Sequence, residues 1–433
     1  MYRYFYFIAL IFLCASTSLN IFSQPLQYSG LSFLSQSIDT NDLFPNTLKL
    51  EPQIRKLIFR DLKDNIPENS PLSLAVSESF RDGTLSLVIA MDSERVASIF
   101  YNNKCFHAYT LGAQVIIFSA QDQSILSIQP HTNRKLYTDE PINGDCRNRG
   151  SKVDLLRFGE IFYGLDILKN DYKNYLALND LELMAALEKE SLVSKSFASQ
   201  DTFLQPIISS ILNINLDDLN ATNFYVGIDD VVIEDLALTQ MMGDSDYADN
   251  YEFADFFGFN KKIYKIWIGQ QFSKWFSQTY GYPIIPYVKG KGLGRDVAIK
   301  FADSGEILNL TLPSLDFGFV IKMQGFKKVK LDESALRESY GWAAFGAIEF
   351  HNIGIEMLTS IKLKNVYTGE VNKGDIVDDW SNFNVSTNRI LKDYVDNSNK
   401  LDKKWLTKAT QLNRKEFNKH MKIVKKSIGL NYE

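Results

Sequence analysis

The chain has 433 residues, 45% apolar and 23% charged, and its 47 Lys and Arg against 52 Asp and Glu give a net charge of −5. This composition excludes a mainly disordered chain, a collagen-like repeat and a multi-span membrane protein. The acid excess also argues against sequence-independent nucleic-acid binding, which rests on Lys and Arg neutralising phosphates.

Arg3 and the free amine make a short positive start, Tyr4 to Leu13 is an apolar run of 10, and Cys14 to Ser18 turns small and polar. A membrane span needs about 20 apolar residues, whereas a signal-peptide core needs roughly 7 to 15. The pattern predicts a signal peptide over residues 1–23, cleaved after Ala15, Ser18 or Ser23, and an exported protein, periplasmic or secreted. An uncleaved anchor is the alternative; lipid attachment at Cys14 is opposed by the bulky Ile11-Phe12-Leu13 before it. Cleavage would leave Cys105 and Cys146, an even pair that reads as a structural disulfide in an oxidising compartment. Closing a loop of about 40 residues, it would contribute roughly 3–4 kcal/mol. Two buried free thiols are the alternative in a reducing compartment.

Residues 24–50 are rich in Ser, Gln and Asn and read as an irregular lead-in. Between Gln53 and Ile66, Ile54, Ile58 and Leu62 recur at helical spacing, and Pro67 stops the run. The period becomes two at Leu72, Leu74 and Val76, and again at Leu85, Leu87, Ile89 and Met91 after the turn signal Asp82-Gly83. Val115 to Phe118 and Ile125 to Ile128 form a hairpin, with the first strand buried on both faces and Pro130 ending the second. Helical spacing returns at Val153 to Leu168 and, from a cap at Asn179-Asp180, through Leu181, Met184 and Leu187 to Leu192. Residues 193–205 are the best boundary candidate.

In the second half, Asn223 to Ile233 reads as a strand and Glu252 to Tyr280 as a long helix. Strands follow at Tyr282 to Pro286, Val297 to Phe301, Leu308 to Leu312, Phe317 to Met323, Tyr340 to Phe350 and Ile361 to Tyr367. Asp303-Ser304-Gly305 is a hairpin turn, and helices run from Arg389 to the end. The predicted class is α+β (mixed α/β), with two sheet-plus-helix modules and a basic C-terminal helix. The lead-in with one helix takes residues 24–70, the modules 71–195 and 206–386, and the C-terminal helical segment 387–433. The halves share an order of elements without a residue-level repeat.

The stretches VIIFSAQDQSILSI and SIKLKNVYTGEV resemble, in layout, exported bacterial envelope α/β modules: those of the curli-secretion lipoprotein CsgG and the amino-terminal part of TolB. The likeness covers two stretches of about 15 residues, a common kind of hairpin. It implies an assembly or binding role and no catalytic residue.

The four histidines, His107, His131, His351 and His420, lack the spacing that places two on one metal. No serine sits in a GxSxG elbow or an SxxK pair. Gly290-Lys291-Gly292-Leu293-Gly294-Arg295 falls short of a phosphate loop, because Lys291 is followed by Gly292 and then by a strand rather than a helix. From Leu216 to Asp255 there are eleven acidic residues and no Lys or Arg. Within it Asp244, Asp246, Asp249 and Glu252 are the candidate metal ligands, with calcium as the cation. A twelve-residue calcium loop started at Asp244 would place Asp249 where Gly belongs and Asp255 where Glu belongs. A solvated acidic face is the plainer reading.

The opposite charge lies at the C-terminus: nine basic residues between Asp402 and Leu430 stand against Asp402 and Glu416. Trp405, Ala409, Leu412, Met421, Val424 and Ile428 fall mostly at helical steps, so the segment reads as a basic amphipathic helix closed by Gly429. Its apolar stripe docks on the protein's own core, or the helix reaches an acidic partner or an anionic membrane surface. The first functional reading is a non-enzymatic binding or assembly protein of the bacterial cell envelope, acting through a protein partner, without cofactor or nucleic acid. The alternative is an exported hydrolase using carboxylates, with calcium as its candidate cofactor.

Overall fold

The structure, a computed structural model, describes residues 26–34, 40–68, 70–74, 85–101, 104–119, 124–140, 146, 151–163, 172–179, 181–183, 185–186, 189, 202–216, 219, 224–242, 261–285, 287, 296–301, 307–373, 379–410 and 413–430. The expected signal peptide, the Gly290–Arg295 loop and the candidate ligands Asp244, Asp246, Asp249 and Glu252 lie outside the described residues. The α+β class holds, with helices packed on two mixed sheets.

Leu26–Phe33 (β1) runs through the middle of the first sheet rather than through an irregular lead-in. Both of its faces are covered, and Ser29 and Ser32 are as buried as Leu26 and Tyr28, so no alternation marks the strand. Thr40–Leu43 (α1) leads to Thr47–Asn65 (α2), which starts ahead of the expected Gln53. The Glu94 carboxylate accepts hydrogen bonds from the backbone N–H groups of Asn46 at 3.0 Å and Thr47 at 2.7 Å, satisfying donors at the start of α2. Leu72–Leu74 (β2), Leu85–Tyr101 (β3), Lys104–Ser119 (β4) and Ile125–Asp139 (β5) follow, then Ser151–Tyr163 (α3), Tyr172–Ala177 (α4) and Leu204–Leu212 (α5). Pro130 does not end β5. That strand is a sheet edge, where a missing N–H costs no ladder bond, and it continues to Asp139. Asn179 and Glu182 exchange the reciprocal bonds of a capping box, as the sequence implies. Phe203 and Leu204, within the expected boundary, instead pack into the first core, Phe203 against Phe162.

The second sheet is built from Val226–Ile233 (β6), Ile284–Ile285 (β7), Phe317–Glu333 (β10), Arg337–Asn352 (β11) and Glu356–Asn372 (β12), ordered β12-β11-β10-β6-β7. Asp235–Met242 (α6), Lys261–Tyr280 (α7) and Asp379–Asn399 (α8) pack with it. Asp296–Phe301 (β8) and Ile307–Thr311 (β9) form the expected hairpin, yet they join the first sheet. There β8 runs antiparallel to Gly30–Ser32, on the edge of β1 whose start, Leu26–Tyr28, pairs with β2.

The basic C-terminal segment is two helices, Lys403–Ala409 (α9) and Arg414–Ser427 (α10). Between them Thr410 makes a β-bridge to Leu363, and Asn413 and Glu416 form a capping box that starts α10 afresh. Gly429, at φ 76°, closes α10 as expected. Leu406, Phe417, Met421, Val424 and Ile428 are buried in the second core, so the apolar stripe docks on the protein itself.

The two halves are one arrangement built twice. The first sheet without β8 and β9 reads β5-β4-β3-β1-β2, and the second reads β12-β11-β10-β6-β7, each with a parallel central pair. Three ladder irregularities coincide as well, while β10 carries a further one at Leu331 without a counterpart. Ser29 and Asp229 are the extra residues beside the parallel partner, Asp92 and Gln324 the extra residues in the next pair, and Leu126 and Leu358 those in the outer pair. Register thus equates Leu87-Val88-Ile89-Ala90-Met91-Asp92 with Phe319-Val320-Ile321-Lys322-Met323-Gln324. It also equates Tyr109 with Trp342. Each of these buried rings bonds through its polar atom to a carboxylate in the first turn of the next helix, Tyr109 to Asp154 and Trp342 to Asp379.

Candidate functional site

The sequence places few convergent functional groups, and the structure uses most of them inside the fold. Cys105 and Cys146 form the disulfide. His107 is buried between the Ser98 hydroxyl, 2.8 Å from Nδ1, and the Asp139 carboxylate, 3.3 Å from Nε2. The Arg157 guanidinium also bonds Asp139 and lies over the rings of Tyr109 and Tyr137. Partial burial alone would raise the Asp139 carboxyl, but the bonds from His107 and Arg157 outweigh it and hold the group down at about 2. Tyr137 donates to Glu160 at 3.0 Å. This ties the far end of β3–β5 to α3, beside the disulfide. A Ser-His-Asp row is present here, but its His is 1% exposed and its Asp is clamped by an arginine, so no substrate reaches the imidazole.

His420 is held between Thr359 at 3.0 Å and the Tyr394 hydroxyl at 2.8 Å, and burial lowers it to about 4. His351 meets Glu349 at 3.2 Å. Among the described residues no group of three or more His, Cys, Asp or Glu is placed to hold a metal ion. Of the acidic run, Asp230 lies 3.9 Å from Lys265 and Glu234 accepts from Gln324 at 3.2 Å.

Sequence reasoning missed the seam between the modules. One face of the first sheet, with Val88, Ala90, Ile116, Phe118, Ile125 and Ile128, packs on Ile285, Leu312 and Leu315. Farther along this face the seam becomes polar. Asp92, pushed out of the ladder by its bulge, accepts from the Gln114 amide at 3.1 Å, and that amide also reaches Gln270 of α7 at 3.2 Å. Gln270 donates to the Tyr287 carbonyl at 2.7 Å. One helical turn on, Lys274 is 4% exposed; burial lowers its ammonium and the Asp92 charge opposes that fall. His131 is lowered to about 4 by burial and by the charge of Lys274. Gly112 fits because an added Cβ would lie 2.1 Å from an Asp92 carboxylate oxygen. Asp92 gives no sequence signal, since a strand residue and a bulge residue read alike.

The second module makes the equivalent face polar and only partly buried. Ala90, Ile116 and Phe118 correspond to Lys322, Glu349 and His351, and Lys322 pairs with Glu349 at 2.6 Å. Its far end is open. Past the Trp342–Asp379 anchor, β10–β12 continue for about five residues, roughly 15 Å. There Val329 and Leu331 are 41% and 55% exposed, and Val366, paired with Ala343 beside the anchor, is 48% exposed. Leu331 and Val366 lie over Gly341, where an added Cβ would meet them at 3.6 and 3.1 Å, and Val329 pairs with Gly341. Ion pairs occupy the same end of the strands: Arg337 with Glu370 at 3.3 Å on the face of the apolar group, and Lys330 with Glu333 and Glu338 and Lys373 with Glu333 at 2.5 Å nearby.

No helix among the described residues is long and apolar enough to cross a membrane. No protein-family model matches the chain, and comparison with curated proteins finds no match.

Proposed function

We propose that the chain is an exported, non-enzymatic binding or assembly protein of the bacterial cell envelope, which grips a protein partner with the open end of its second sheet. The observation that carries this is the apolar group Val329, Leu331 and Val366, exposed on the sheet face that also carries the Arg337–Glu370 pair. An exposed apolar group beside charged side chains fits the anatomy of a protein–protein interface. The fitting partner presents apolar side chains and both signs of charge beside them. The amino-terminal pattern and the Cys105–Cys146 disulfide support the exported setting. The enclosure of His107, His420 and Asp379 in structural bonds supports a binding role over the hydrolase reading.

The test is a photo-crosslinking residue placed at Leu331 in cells, with Ser360 on the same module as the control position. One dominant adduct from position 331, absent at 360 and abolished by Val366→Asp, supports the reading. Adducts of equal yield at both positions, or none at 331, overturn it. Sequencing the amino terminus of protein from the envelope fraction tests export: a start after Ala15, Ser18 or Ser23 supports it, and an intact Met1 overturns it.

A further inference from the structure

On α10, steps of four, three and four residues separate Lys415, Lys419, Lys422 and Lys426. At 100° per residue these four side chains fall within an arc of about 60°. Phe417, Met421, Val424 and Ile428 occupy the opposite side and are buried in the second core. All four lysines are exposed, and none is held in an ion pair among the described residues. The capping box at Asn413 and Glu416 and the closing turn at Gly429 define both ends of the helix that carries the stripe. Lys404 and Lys408 of α9 are also exposed, one helical turn apart.

We propose that this stripe is a docking face for an anionic phospholipid surface, met peripherally and without insertion. Two features choose lipid over an acidic protein. The exposed side of α10 offers no aromatic or large apolar side chain, the groups that anchor protein interfaces. Four lysines in a row match diffuse headgroup charge, which attracts each nearby cation separately. Insertion is excluded because the apolar side of α10 is already spent on the protein's own core. The inference rests on the envelope setting proposed above only for which membrane is met; the stripe is separate from the β10–β12 end.

The test is flotation of the full chain with vesicles of phosphatidylcholine alone or with 30% phosphatidylglycerol. The expected result is binding to the anionic vesicles only, weakened by salt. Reversing Lys415, Lys419, Lys422 and Lys426 to Glu should lower it about a hundredfold or more. A charge-matched control reverses the exposed Lys49, Lys56, Lys63 and Lys104, and should keep binding within about threefold. Equal loss in both variants would reduce the effect to net charge and overturn the proposal, as would equal binding to neutral vesicles. Absent vesicle binding together with salt-sensitive, stripe-dependent binding to polyglutamate would overturn it in favour of an acidic protein. None of these outcomes touches the Leu331 crosslink, so the two readings fail separately.

Discussion

The two modules share one ladder with three bulges at equivalent positions, and differ in what they leave exposed. In the first, the middle of the sheet is covered on both faces, and its far end is tied by the Cys105–Cys146 bond and the His107–Asp139–Arg157 group, with Leu136 exposed beside them. In the second, the equivalent face carries the partly buried pair Lys322 and Glu349, and the far end carries an uncovered apolar group. Equivalent positions have thus diverged according to their neighbours. Where α7 and β7 cover the sheet, side chains are apolar or form the Asp92–Gln114–Gln270 chain, and where water reaches it they are charged. A polar face on the last module is what stops stacking in repeat architectures.

The sharpest way to break the contrast is the disulfide. Cys105→Ser should cost about 4 kcal/mol, from the loop entropy of a bridge between residues 41 apart. Denaturation followed by fluorescence should show it, while the Trp342 environment holds to higher denaturant. Next come the two equivalent anchors. Asp379→Ala removes the partner of both Trp342 and the Lys328 ammonium at 2.9 Å, leaving a half-buried cation, and should cost about 3 kcal/mol. Asp154→Ala, whose partner is a neutral Tyr109 hydroxyl, should cost about 1–2 kcal/mol.

Acid should loosen both modules. His420 is lowered from 6.5 to about 4, so the unfolded chain takes up its proton first and stability falls as pH drops from about 6.5 to 4. The loss reaches at most about 3 kcal/mol and should vanish from the second module's unfolding in His420→Gln. Asp139, lowered from 3.8 to about 2, keeps its contribution above pH 4 and loses it only as pH falls toward 2. His131, on β5 of the first module, is lowered to about 4 as well, so acid titration by circular dichroism should show both modules losing stability between pH 6.5 and 4. The smallest effect is expected from reversing the α10 lysines, which should change stability by less than about 0.5 kcal/mol because the side chains face water.

The sequence made the long periodic elements legible: α2 from Ile54, Ile58 and Leu62, β3 from Leu85 to Met91, and the doubly buried β4. The disulfide followed from two cysteines. It hid β1, because burial of both faces erases alternation, and it hid the length of β5, because Pro130 is a breaker only inside a sheet. The basic segment read as one helix, since its periodicity nearly survives the break at Thr410. The duplication stayed hidden because identity persists mainly on the face that both modules bury, as with Ile89 and Ile321 or Met91 and Met323. The opposite faces met different surroundings. The open end and the seam were unreadable because each depends on which neighbour covers a strand, and that is set by topology.

The most direct test of the account is a reciprocal exchange at one equivalent pair. Ala90→Lys would force an ammonium into the fully buried seam, and Lys322→Ala would remove a charge from the partly solvated face. Measured side by side by urea denaturation, the first should cost at least about 3 kcal/mol and the second less than about 1 kcal/mol. Equal costs in the two variants would contradict a covered first sheet and a partly solvated second one.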